Sequence, residues 1–260
     1  MGTDAAGPQD RGKRGQCRWL TAALLLLATP VALAAGLSVS PVSLQFAPQE
    51  TVQGLWLRNS GSQPLRAQVR VFAWRQAANE DQLDPSTALI VSPPMLSIEA
   101  GQRQFVRIVR PAAAASDREQ SYRLLIDELP DPTQPPKPGL NFVMRYSVPV
   151  FVGTAPESIA GTAASQWSLR RDAHPPWTLV TRNPGTHRLQ LTDLELFDAE
   201  GRSVYRHTGL LGYVLAGGER QWPLSLPASP PSQPLEIKVR LNGQSVRHPL
   251  PVEAPERAPR

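Results

Sequence analysis

The chain has 260 residues, 41% apolar and 19% charged, with a formal net charge of +5. That basicity is mild, and its arginines are scattered along alternating segments rather than clustered in a stripe interleaved with aromatics, which argues against nucleic-acid binding. A single cysteine excludes an internal disulfide, so any fold must stand on its apolar cores.

Reading from the N-terminus, Arg11, Lys13, Arg14 and Arg18 precede an apolar run from Leu20 to Ala35 that contains the small-residue triplet Ala32-Leu33-Ala34. This order is expected to be a secretory signal peptide over 1–34. The run is shorter than the roughly 20 residues of a membrane-spanning helix, and Pro30 interrupts it. Cys17 precedes the apolar run, so it is no lipid-attachment cysteine and leaves with the leader.

The remaining chain is punctuated by most of the 28 prolines and 18 glycines, spread between short apolar stretches, which is the pattern of many short strands. Alternation or β-branched enrichment marks strands at Leu37 to Phe46, Val52 to Arg58, Leu65 to Trp74, Leu96 to Ile98, Gln104 to Arg110, Ser121 to Glu128 and Phe142 to Val152. Ala112 to Gln120 tolerates a helix but is too short to carry a domain. Asp131 to Gly139 is proline-dense and is expected to be an extended, exposed connection. A hinge is expected over Gly153 to Glu157, where the alternation stops. A second set of strands follows at Gln166 to Arg170, Trp177 to Asn183, Leu189 to Phe197, Ser203 to Tyr205, Arg220 to Leu226, Leu235 to Leu241 and Ser245 to Leu250. The expected architecture is all-β: an immunoglobulin-like sandwich over 35–153, a second over 154–250 set at an angle to leave an interdomain cleft, and a disordered tail over 251–260.

The segment Phe142 to Phe151 is unusual in being largely apolar on both faces, with Phe142, Met144, Tyr146, Val148 and Val150 on one and Val143, Arg145, Ser147, Pro149 and Phe151 on the other. Such a strand is either buried on both sides or offers a side to a partner. Pro149 lacks a ladder donor and argues for a sheet edge there. Enzyme signatures are missing: His174, His187, His207 and His248 show no metal-ligand spacing and no nucleophile partner. Asp127 and Glu128 point to opposite faces of their strand and do not form an acid–base pair. Trp56, Trp74, Trp167, Trp177 and Trp222 are spread over both domains, which favours core packing over a carbohydrate platform.

Several segments, in this order, resemble periplasmic assembly chaperones of the chaperone/usher pathway. They are Val39-Ser40-Pro41-Val42-Ser43-Leu44, Trp56-Leu57-Arg58-Asn59, Leu96 to Gly101 leading into Gln104 to Ile108, Ser121 to Pro130, and Arg145 to Phe151. The last two look like the archaic, Csu-type branch. The resemblance implies a periplasmic chaperone that completes pilin or spore-coat-U-like subunits by donor-strand complementation and delivers them to an outer-membrane usher, with no cofactor, no metal and no small-molecule substrate. It implies Phe142, Met144, Tyr146 and Val148 as donor side chains. It also implies a basic anchor for the subunit's C-terminal carboxylate, for which Arg123 and Arg145 are the candidates because a planar guanidinium bonds both carboxylate oxygens. The other reading of these arginines is that they are solvated or paired with Asp127 and Glu128. Ser43 and Pro149 stand where the better-known branch carries its basic residues, so either the anchor is displaced here or the register of the resemblance is shifted. The alternative function is a secreted immunoglobulin-like binding module or adhesin.

Overall fold

The computed structural model describes residues 1–2, 36–77, 79–111, 116–130, 143–153, 165–171, 177–226, 233 and 235–253. Among the described residues every regular element is a strand. The first ten are β1 (Leu37–Ser40), β2 (Leu44–Phe46), β3 (Val52–Asn59), β4 (Leu65–Ala77), β5 (Glu80–Pro85), β6 (Ile90–Ser92), β7 (Met95–Ile98), β8 (Arg103–Val109), β9 (Gln120–Leu129) and β10 (Arg145–Val152). They make two sheets, one ordered β1-β3-β8-β6 and one ordered β2-β10-β9-β4-β5 with β7 also on β4.

Period-two alternation builds the core between these sheets. On β3, Leu55 and Leu57 are fully buried while Trp56 and Arg58 face out; on β9, Tyr122, Leu124 and Ile126 turn inward. Each fully buried leucine or isoleucine contributes about 1.5–3 kcal/mol by leaving water. The expected single strand from Leu37 to Phe46 is divided around Pro41. Its first part pairs antiparallel with β3, and its second pairs parallel with β10, so the chain changes sheets there. Strand β5 reads Glu-Asp-Gln-Leu-Asp-Pro with all six residues exposed, so apolar patterning gave no sign of it, and backbone pairing to the long β4 forms it.

The second sandwich comprises β11 (Gln166–Arg171), β12 (Trp177–Arg182), β13 (Leu189–Phe197), β14 (Ser203–Val214), β15 (Glu219–Pro223), β16 (Leu235–Leu241), β17 (Gln244–Leu250) and β18 (Val252–Glu253). Its sheets run β15-β12-β11-β18 and β14-β13-β16-β17 around a core that includes Trp167, Leu169, Trp177, Leu179, Leu191 and Ile237. Strand β14 extends well past the expected Ser203 to Tyr205, because register shifts against β13, with Gly209 at φ +80, break the alternation that marks a strand. The expected tail begins later than Pro251: Leu169 N–H donates to Pro251 O, Val252 pairs with Leu169, and Val252 packs on the core.

Both sandwiches close their second long strand with the same device. The Asn59 side chain donates to Gln63 O and Ile98 O and accepts from Gly61 N–H; the Asn183 side chain donates to His187 O, Val214 O and Leu215 O and accepts from Gly185 N–H. A buried amide that satisfies backbone groups in this way fixes the turn without a disulfide.

The two sandwiches touch through a third apolar cluster of Trp74, Phe151 and Leu215, with Tyr213 packed beside it. The Gln76 side chain bonds Tyr213 O and Leu215 N–H across the junction. Half-buried alongside, the Arg188 guanidinium lies 2.5 Å from Glu119 Oε2, 2.9 Å from Gln45 Oε1 and 3.6 Å from the centre of the Phe151 ring. The Arg188 N–H adds a 3.1 Å bond to Glu119 Oε1.

Candidate functional site

Strand β10 changes character along its length. On one side it pairs with β9 from Arg145 to Val152, but on the other it meets β2 only at Val150, Phe151 and Val152. Arg145 to Pro149 therefore present an open strand edge among the described residues. Pro149, which has no N–H to donate, lies at the inner end of that open stretch. At the C-terminal end both faces are covered, Val150 and Val152 by the first core and Phe151 by the junction with the second sandwich. The doubly apolar sequence is thus satisfied there by burial on both sides.

Along the inward face the expected donor set divides. Val148 is 4% exposed and belongs to the first core. Tyr146 is half-buried against the same core and its hydroxyl donates to Leu37 O. Met144 precedes the strand and is 42% exposed, with Val143 at 55%. Phe142 lies outside the described residues. A side chain committed to its own core cannot also fill a partner's groove, so the apolar groups free for a partner lie N-terminal to Tyr146. Beside them an open depression of about 400 Å³ is lined by Gln68, Arg70, Asp127, Leu129, Met144 and Arg145.

The two candidate anchor arginines are not brought together. Arg145 stands opposite Asp127 and Arg123 opposite Pro149, a separation of four residues along β10, or about 13 Å. Arg145 is ion-paired with Asp127, which also binds Arg70 at 2.7 Å. Burial acts to raise the Asp127 carboxyl, but the bonds from Arg70 and Arg145 outweigh it and hold it below the usual value. Arg145 thus has the carboxylate partner that the second reading of these arginines named.

Arg123 differs. Its guanidinium stacks 3.7 Å from the centre of the Trp74 ring, 6.0 Å from that of Tyr213, and no carboxylate among the described residues forms an ion pair with it. Burial pushes it below its usual value, with the charge of Asp81 pulling the other way. A fixed, partly desolvated cation at the domain junction, two residues from Phe151 in the register of β10, is a ready receptor for an anion.

Sequence reasoning did not single out Glu119, Arg188 or Gln76, which join the sandwiches at this end. Glu119 sits in a segment that reads as helix-tolerant, and Arg188 follows a turn; nothing local marks either as buried. Burial raises the Glu119 carboxyl and lowers the Arg188 guanidinium, so loss of water outweighs mutual attraction for both. Of the histidines, His187, His207 and His248 stand apart and His174 lies outside the described residues. Among the described residues no cluster of metal-ligating side chains occurs. Trp74, Trp167 and Trp177 are buried, whereas Trp56 is 40% exposed.

Residues 36–159 match the family model of the pili and flagellar-assembly chaperone, PapD N-terminal domain. No curated protein matches the chain. Among solved structures, a chain of the CsuC–CsuE chaperone–tip adhesion subunit pre-assembly complex from archaic chaperone-usher Csu pili of Acinetobacter baumannii is 24% identical, with a TM-score of 0.61 over 84% of this chain and 100% of that one. The CupB2 chaperone of Pseudomonas aeruginosa is 18% identical, with a TM-score of 0.53 over 82% and 98%. A chain of the Salmonella enterica SafA pilin–SafB chaperone complex is 21% identical, with a TM-score of 0.54 over 83% and 94%. These likenesses establish a shared two-domain fold.

Proposed function

We propose that this protein, whose residues 36–159 match the family model of the pili and flagellar-assembly chaperone, PapD N-terminal domain, is a periplasmic pilus-assembly chaperone that caps subunits by lending them the N-terminal part of β10 and the segment before it. The observation that carries the reading is the open edge from Arg145 to Pro149, continued by the exposed Val143 and Met144. An apolar open edge is an aggregation hazard unless a partner covers it, and adding a strand to a partner's sheet supplies backbone hydrogen bonds along with side-chain contacts.

The lending residues in this reading are Phe142 and Met144, with Tyr146 and Val148 fixing the strand to its own domain. Arg123 receives the subunit's C-terminal carboxylate at the domain junction, while Arg145 remains with Asp127. Delivery of the capped subunit to an outer-membrane usher, and export directed by residues 1–34, complete the proposal. The work is non-covalent, and no cofactor takes part.

The test is co-expression in a periplasm with small secreted β-rich subunits encoded beside a matching usher, followed by purification of this chain. A stoichiometric complex with a subunit, lost in the Met144→Asp variant, supports the reading. A complex of undiminished yield in that variant overturns it.

A further inference from the structure

The sheet β1-β3-β8-β6 turns its outer face away from β10, and its composition is one-sided. These four strands contain three arginines and no aspartate or glutamate. Arg58, Arg103 and Arg107 all point outward, paired across the sheet with Arg103, Arg58 and Gly54 respectively. Several exposed arginines elsewhere in the molecule meet carboxylates, as Arg75 meets Asp84 and Arg206 meets Glu195. Among the described residues, these three form no ion pair.

Between the arginines sits an aromatic pair. Trp56 is 40% and Phe105 38% exposed, with ring centres 5.0 Å apart. The tip of the Phe105 ring reaches over Gly54, where an added Cβ would stand 2.0 Å from its tip carbon. Arg103 covers Trp56, its guanidinium carbon 4.3 Å from the ring centre. Stacking of this kind holds the guanidinium plane in place with its donors directed outward.

From this face we infer a second docking surface, whose occupant is an acidic protein segment bearing an apolar side chain: carboxylates on Arg58, Arg103 and Arg107, and the apolar group against Trp56 and Phe105. Charge complementarity selects the acidic partner. Tryptophan and arginine, with no lysine on these strands, are the side chains that dominate protein–protein contacts rather than non-specific polyanion binding. The face lies on the sheet opposite β10, so it stays open while β10 is engaged and lets a capped complex recruit a further component. This inference goes beyond the capping role, and its failure would leave that role intact.

The experiment is calorimetric titration of the full mature chain with a short synthetic peptide of Asp, Glu and Gly around a central Leu, and with a Lys-for-acid version. Saturable binding of the acidic peptide alone is expected, weakening about tenfold in Arg103→Glu and again in Arg107→Glu, and falling with salt. Gly54→Ala, which displaces Phe105 without changing charge, is expected to weaken binding several-fold; Arg58→Glu serves as an independent charge variant should any other fail to fold. Equal binding of both peptides, no binding of either, preference for dextran sulfate over the peptide, or self-association of the chain abolished by the same arginine variants would each overturn the assignment.

Discussion

Replacing Arg188 by alanine removes the cation that neutralises Glu119 at the junction of the sandwiches. The Glu119 side chain is fully buried and that of Arg188 is 15% exposed, so water cannot replace the lost partner. Of the bonds described, the carboxylate keeps only the N–H of residue 188. Breaking a buried pair from one side costs about 3–5 kcal/mol, and at about 2–4 °C per kcal/mol for a chain of this size the melting temperature should fall by about 6–20 °C at pH 7. The pH dependence carries a definite sign. Burial already raises the folded-state value of Glu119 above its ordinary 4.5, so the stability tied to its protonation is full below 4.5 and lost as pH rises through the folded-state value. Removing Arg188 raises that value further, so the variant's deficit should shrink as pH falls toward 4.5. Differential scanning calorimetry across this range reads the effect, and the double variant Glu119→Leu/Arg188→Met should recover most of it. A fall under about 2 °C at pH 7, or a deficit independent of pH, would refute the argument.

Three further outcomes are expected. Met144→Asp should leave the melting temperature of the free protein unchanged while abolishing subunit co-purification, whereas Val148→Asp places a charge in the core and should give no soluble protein. Arg123→Ala should cost the free protein about 0.5–2 kcal/mol in urea unfolding through loss of the Trp74 stack, and should weaken subunit capture by at least about tenfold in a competition pull-down. Asp127→Asn releases Arg70 and Arg145; the parent's advantage over it, about 1 kcal/mol or less for so exposed a set of cations, should be present above pH 3.8 and vanish as pH falls through the lower folded-state value, as urea midpoints against pH will show.

Strands whose inward positions are apolar and whose outward ones are polar were legible to within a residue or two. Leu189 to Phe197 and Leu235 to Leu241 lie where alternation puts them. Strand β5 was not, because it buries no side chain, and β14 was legible only up to its glycine bulges. For the site, the sequence showed that Phe142 to Phe151 has too much apolar surface for an ordinary half-buried strand. It could not show where along the strand that surface is used, because this depends on β2 joining the edge only from Val150 to Val152 and on the second sandwich covering Phe151. Arg123 and Arg145 looked alike in sequence, each among apolar neighbours. Their difference arises from cross-strand partners, Asp127 beside one and Trp74 beneath the other.

In the proposed capping role, the three regimes of β10 constrain how it is lent. A strand offered to another sheet must keep its direction and register while half of its hydrogen bonds are unmade, which requires a rigid base. Here the base is Val150 to Val152, held by β2, β9, the first core and the junction cluster at once. Tyr146 and Val148 carry that order outward, the tyrosine tied by its hydroxyl to β1. Beyond Arg145, pairing with β9 gives way to a single bond from Glu128 N–H to Met144 O. The apolar side chains become free where the backbone ceases to be held on two sides, so ordering them in a partner's groove adds contacts without removing any from the first core. In the proposed capping role the junction residues Trp74, Phe151, Glu119 and Arg188 therefore act on capture at a distance, by keeping the base of the strand and Arg123 in one rigid frame.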